Sequence, residues 1–163
     1  MKKALKIIAL SVLTIAVVTV IYGLYCSNTL EIKNYTINSD KVNSQVRFVF
    51  ISDLHCKEYG EKNADLVAKI KEQNPNFIAV GGDMVNKYSS DEHVMRELLP
   101  QLAEIAPTYC VLGNHELALK DEIDFKKDID STGAKLLDNE SVTLNINGEK
   151  ILQIGRASCR ERV

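Results

Sequence analysis

Long apolar runs, each ending abruptly in polar residues, organise this chain. The first covers residues Ile7 to Tyr25, nineteen positions without a charge and mostly Ile, Leu, Val, Ala and Thr. As a helix it spans about 28 Å at ~1.5 Å per residue, close to the ~30 Å hydrocarbon core of a bilayer. It is apolar all round and so reads as a membrane span rather than an amphipathic core helix. Lys2, Lys3 and Lys6 precede it and Glu31 is the first charge after it. The positive-inside tendency then keeps residues 1–6 in the cytoplasm and sends everything after Tyr25 to the outer side of the cell membrane. Gly23-Leu24-Tyr25-Cys26 offers neither a small-x-small cleavage site nor a lipoprotein box, so an uncleaved single-pass anchor over 7–25 is preferred to a signal peptide.

Beyond the anchor the pattern shortens. Thr29 to Ile37 alternates apolar and polar residues, as a half-exposed strand would. Val46 to Ser52, Phe77 to Val80 and Thr108 to Leu112 are near-continuous apolar runs, which read as strands buried on both faces of a parallel sheet. Between them, Lys62 to Gln73 and Asp91 to Ile105 carry apolar residues at helical spacing. Pro100 falls inside the second and predicts a kink or break. Asp121 to Asp130 reads as a weaker, charged helix closed by Gly133. Ala134 to Leu137, Ser141 to Ile146 and Lys150 to Ile154 read as strands, with Asn147-Gly148 a type I′ hairpin turn between the last two. Strand and helix in alternation describe βαβ units, hence an α/β fold.

Composition adds little beyond exclusions. The 163 residues carry a formal net charge of −2, 45% hydrophobic and 26% charged residues, an ordinary globular balance for one domain plus an extra segment. No basic excess or arginine–aromatic interleaving marks a nucleic-acid partner. The four cysteines, Cys26, Cys56, Cys110 and Cys159, show no CxxC spacing. Cys110 reads as a small core residue and Cys56 as a partly buried spacer.

The chemistry lies where the apolar runs stop. The run from Val46 ends in Asp53-Leu54-His55, that from Phe77 in Gly81-Gly82-Asp83 and that from Thr108 in Gly113-Asn114-His115-Glu116. Asp83 follows Asp53 by 30 positions and Asn114 follows Asp83 by 31, the length of one βαβ unit. The three groups therefore fall at the carboxyl edge of consecutive strands, where open α/β sheets place their sites. Carboxylate, imidazole and amide donors on one rim suit a divalent transition metal better than calcium. His93, on the polar side of its helix, reads as a solvated surface residue.

Asp53-x-His55, Gly82-Asp83 with Asn86, and Gly113-Asn114-His115-Glu116 resemble the first three motifs of the calcineurin-like metallophosphoesterase family, over roughly Val46 to Glu116. The resemblance implies that Asp53 and His55 hold one divalent metal ion, that Asp83 bridges to a second, and that Asn114 binds that second ion. His115 would contact the substrate phosphate, and Glu116 would orient its neighbours rather than bind metal. The two ions, Mn, Fe or Zn, would activate a water that hydrolyses a phosphate mono- or diester or a pyrophosphate. The membrane location suggests a lipid head group or an envelope precursor as substrate. The family's fold is a β-sandwich flanked by helices. Residues 29–153 would supply its first half, leaving an apolar sheet face uncovered.

The family completes its site with later histidines, and none follows His115 here. Residues 154–163, Ile-Gly-Arg-Ala-Ser-Cys-Arg-Glu-Arg-Val, look like the in-frame translation of a sequencing adapter. The expectation is that the natural protein continues past Gln153 and that this chain by itself is inactive. If the histidines are truly missing, the competing reading is a non-catalytic, membrane-tethered binding module on a degenerate phosphoesterase scaffold.

Overall fold

The computed structural model describes residues 2–89 and 91–156. The chain divides into two compact units, residues 1–36 and 37–163. The first consists chiefly of helix α1 (Lys2–Asn28), 27 residues whose described side chains are all exposed. It is long and apolar enough to cross a membrane. The helix overruns the expected span at both ends. Thr14, Thr19 and Thr29 fold their hydroxyls back onto carbonyls four residues earlier. This meets their hydrogen-bonding needs within the helix and the residue that follows it. The strand expected over 29–37 does not form. Alternation without a neighbouring strand leaves nothing to pair with, and Tyr35 and Ile37 stand exposed.

The second unit is an α/β domain. Strands β1 (Phe48–Ile51), β2 (Phe77–Val80), β3 (Thr108–Cys110) and β4 (Lys135–Leu136) form a parallel sheet in that spatial order. Helix α2 (Ala64–Glu72) connects β1 to β2, and α3 (His93–Ile105) connects β2 to β3. Short helices α4 (Asn114–Leu119) and α5 (Phe125–Ser131) lead to β4. An antiparallel hairpin follows, β5 (Glu140–Ile146) and β6 (Glu149–Gly155), with Asn147 and Gly148 both at positive φ as a type I′ turn requires.

Register decides which side each residue faces. Phe48 pairs with Phe77 and Phe50 with Ala79, so these four share one face. Val49, Ile51, Ile78 and Val80 share the other. On the helix-covered side, α3 buries Val94, Met95, Leu98, Leu99 and Leu102. Those five side chains hold the helix together through Pro100. The break expected there is absent because the carbonyl Pro100 leaves unpaired belongs to Arg96, on the exposed side. On the opposite side, Leu144 and Ile146 of the hairpin pack on Phe77 and Ala79.

That second cover is partial. The reading of β1 as buried on both faces is corrected: Phe48 and Phe50 are 52% and 63% exposed. β1 is an edge strand, and the apolar cluster under the hairpin is made with Phe77 and Ala79 of β2 and Tyr109 of β3, not with Phe48 or Phe50. Phe50, Ala79, Tyr109, Leu137 and Ile154 line an open groove of about 290 Å³ on this face. Ile154 and Gly155, the first residues of the expected non-native tail, close β6 and pair with Ser141 and Glu140. Residues 157–163 lie outside the described residues.

Candidate metal centre

The carboxyl ends of β1, β2 and β3 lie side by side, and the loops leaving them are stitched together by main-chain bonds. Asp53 N–H donates to Gly82 O at 3.0 Å, His55 N–H to Asp83 O at 3.0 Å and Cys56 N–H to Met84 O at 2.8 Å. Two glycines make the approach between the second and third loops possible. A Cβ at Gly82, whose φ is +89°, would lie 2.7 Å from Gly113 Cα. One at Gly113 would meet the Asp83 main-chain nitrogen at 2.6 Å. Side chains there would force the loops apart.

This rim gathers His55, Asp83 and His115. One donor atom from each lies within 4.8 Å of the others. The two imidazoles meet edge to face with centroids 4.4 Å apart. Ligand atoms at about 2.1 Å from one ion stand up to about 4.2 Å from each other. Separations within 4.8 Å are therefore close to what the ligands of one ion span. Its mixed nitrogen and carboxylate donors, at least partly open to solvent, fit a transition metal. Asp53 is exposed beside the cluster. Its Oδ1 lies 3.8 Å from His55 Nε2, and its Oδ2 accepts from the Ser52 hydroxyl. Asn114 opens α4, exposed, next to His115. Asn86 is engaged in its own turn, its side-chain oxygen accepting from Tyr88 N–H.

Hydrogen bonds fix how these groups present themselves. Lys87 N–H donates to His115 Nδ1 at 3.0 Å. A neutral ring held in this way carries its proton on Nε2, so in that tautomer His115 is a hydrogen-bond donor rather than a metal ligand. Asp83 Oδ1 accepts from His115 N–H at 2.8 Å and leaves Oδ2 for other partners. Glu116, which the motif places one residue beyond His115, is 2% exposed and turned inward. Its carboxylate accepts from Asp83, Met84, Val85 and Gly113 main-chain N–H groups.

Helix α4 was not foreseen in the sequence. Its signal is Glu116 three positions after the N-cap Gly113, where an N3 glutamate reaches back to the cap amide. Cys56, half-buried, donates its thiol to Asp91 O, and burial raises its pKa. Cys110, the last residue of β3, is buried, as a core residue should be.

A parallel α/β sheet gathers imidazole and carboxylate side chains at its carboxyl edge, where open sheets of this kind place their sites. The sequence profile described as "Calcineurin-like phosphoesterase" matches residues 46–156, and the chain belongs to that family. It is 27% identical over 155 residues to the uncharacterized metallophosphoesterase YkoQ of Bacillus subtilis, covering 88% of this chain and 57% of that protein. An uncharacterized metallophosphoesterase of Aquifex aeolicus is 26% identical over 122 residues, covering 71% of this chain and 46% of that one. The phosphodiesterase YaeI of Escherichia coli is 34% identical over 73 residues, 43% of this chain and 27% of its own length. The chain spans about half the length of the first two relatives.

Proposed function

We propose that this chain carries the amino-terminal half of a dinuclear phosphoesterase site, tethered to the cell membrane by α1 with the domain on the outer side. The convergence of His55, Asp83 and His115 from three strand ends carries the reading. Asp53, His55, Asp83 and Asn114 would hold the two divalent ions through carboxylate, imidazole and amide donors. When bound, the two cations supply an activated water and neutralise charge on the phosphoryl group of a mono- or diester or pyrophosphate.

The chain's own groups do the rest. Asp83 keeps one oxygen on His115 N–H and frees the other for the rim. The Lys87 amide holds His115 so that Nε2–H donates to a phosphoryl oxygen, stabilising the negative charge that builds there. The longer relatives, of which this chain spans about half, support a further step, that donors following about Gln153 in the natural protein complete the site and that residues 1–163 alone are inactive. The basic residues Lys2, Lys3 and Lys6 support the orientation. Proximity to the bilayer favours a lipid head group or envelope precursor as substrate.

Calorimetric titration of the full chain in detergent with Mn²⁺ tests the site. Binding is expected for the parent and loss for Asp83→Asn. Turnover of a chromogenic phosphodiester is then measured on the gene product continued past Gln153, with and without chelator. Asp83→Asn binding Mn²⁺ like the parent would sink the metal site. Metal binding without chelator-sensitive turnover would leave a non-catalytic binding module.

A further inference from the structure

We infer that Glu116 is a positioning residue: it clamps the loop bearing Asp83 to the loop bearing Asn114 and His115, and so sets metal affinity without touching metal. This rests on the metal site proposed above.

The observation is a buried carboxylate whose two oxygens are shared between two loops. Oε2 accepts from Asp83 N–H at 2.8 Å and from Gly113 N–H at 2.8 Å. Oε1 accepts from Met84 N–H at 2.7 Å and Val85 N–H at 3.1 Å. Four donors saturate a carboxylate's acceptor sites. They lie on consecutive residues 83–85 after β2 and on residue 113 after β3, so Oε2 alone bridges the loops. Residues 83–85 turn three successive N–H groups toward one anion, with Asp83 at φ +53°. Glu116 is thus an anion supplied by the chain itself to a nest of main-chain donors.

The location excludes a role as ligand. Glu116 is 2% exposed and lines a small void of about 10 Å³ together with Met95, Leu99 and Ile129, and its acceptor sites are already taken by main-chain donors. Desolvating a carboxylate there is costly and is offset by the four charge-assisted bonds. The bridge is reciprocal, because Asp83 Oδ1 accepts from His115 N–H at 2.8 Å. Each loop therefore orients the residue that the other one presents. Glutamine in place of Glu116 would keep shape but turn an NH₂ toward two N–H donors. Aspartate would keep charge but draw the oxygens back by one methylene.

The test is hydrogen exchange on the full chain in detergent, without metal, followed by Mn²⁺ titration. In Glu116→Gln, amides 83–85 and 113 are expected to exchange about 10- to 100-fold faster, the factor for losing charge-assisted bonds. Residues 94–102 of α3 should keep parental protection, and Mn²⁺ affinity should fall by a similar factor under those conditions. Parental exchange at 83–85, or equal loss across α3, would overturn the clamp. Unaltered affinity in a variant whose parent binds Mn²⁺ would overturn the positioning role alone. A parent that binds no Mn²⁺ overturns the metal reading as well. If Glu116→Gln does not fold, Glu116→Asp is judged on the same amides, and parental protection there refutes the clamp.

Discussion

Gly82→Ala is the substitution that most directly probes how the rim is built. Gly82 has φ +89°, which costs an L residue about 1–2 kcal/mol. The new methyl would also lie 2.7 Å from Gly113 Cα and 3.0 Å from the Leu112 carbonyl carbon, and closer still to Gly113 N. All three are main-chain atoms of the neighbouring loop and cannot swing aside. Overpacking of that kind adds about 1–3 kcal/mol, for a total of about 2–5 kcal/mol. Gly148 is the internal control. Its φ is +85° and nothing lies within 4 Å of a Cβ there, so Gly148→Ala should cost only the backbone term, about 1–2 kcal/mol. Urea unfolding of the full chain in mild detergent, read by near-ultraviolet circular dichroism, measures both. The difference between the variants isolates the contact between loops. Equal destabilisation would mean that the loops do not touch as described, and the geometry of the rim would fall with it.

Two further predictions concern titration and reactivity. His93 Nδ1 lies 2.6 Å from Asp91 Oδ1, and that hydrogen bond holds the imidazole above its usual 6.5. The His93 amide and ring together hold Asp91 below 3.8. The pair's contribution is present between those values, fading as pH falls through the Asp91 pKa and as it rises through that of His93. In a proton NMR titration Asp91→Asn should bring His93 back toward 6.5, and an unmoved midpoint would refute the pairing. Burial pushes the Cys110 thiol up to about 12, so iodoacetamide at pH 8 should label half-buried Cys56 while sparing Cys110 until the domain unfolds. Peptide mass spectrometry showing equal native labelling would contradict the buried position.

Much of this was legible in the sequence because chemistry and topology coincide at strand ends. Asp53, Asp83 and Asn114 recur at the length of a βαβ unit, so one wrong strand would have broken the series. The type I′ turn at Asn147-Gly148 was readable because few residue pairs tolerate two positive φ angles. Failures fall where local pattern underdetermines tertiary context. An apolar run such as Phe48 to Ile51 looks the same in a central strand and in a half-covered edge. Pro100 looked like a break because its packing partners are distant in sequence. Helix α4 is six residues long, too short for periodicity to show. The clamp by Glu116 was visible only as a motif position, since three of its donors lie some thirty residues upstream.

Backbone strain at the rim explains why these residue types serve two purposes at once. Asp53, His55 and Asp83 all adopt positive φ, at 61°, 49° and 53°. Where a parallel strand ends, the chain must turn sharply toward its crossover helix while still lifting a side chain above the sheet edge. The left-handed conformation does this, and among residues other than glycine Asn, Asp and His tolerate it best. Each such residue costs of order 1 kcal/mol or more and persists only where its surroundings over-determine it. Here the main-chain bonds from Asp53, His55 and Cys56 to the neighbouring loop, and the four bonds to Glu116, supply that determination. The main chain that carries Asp53, His55 and Asp83 is therefore fixed by the protein's own hydrogen bonds. Three of the five residues the site would use carry this strain; Cys56 shares it at φ 63° without a place in the site, and Asn114 and His115 are presented instead by the first turn of α4.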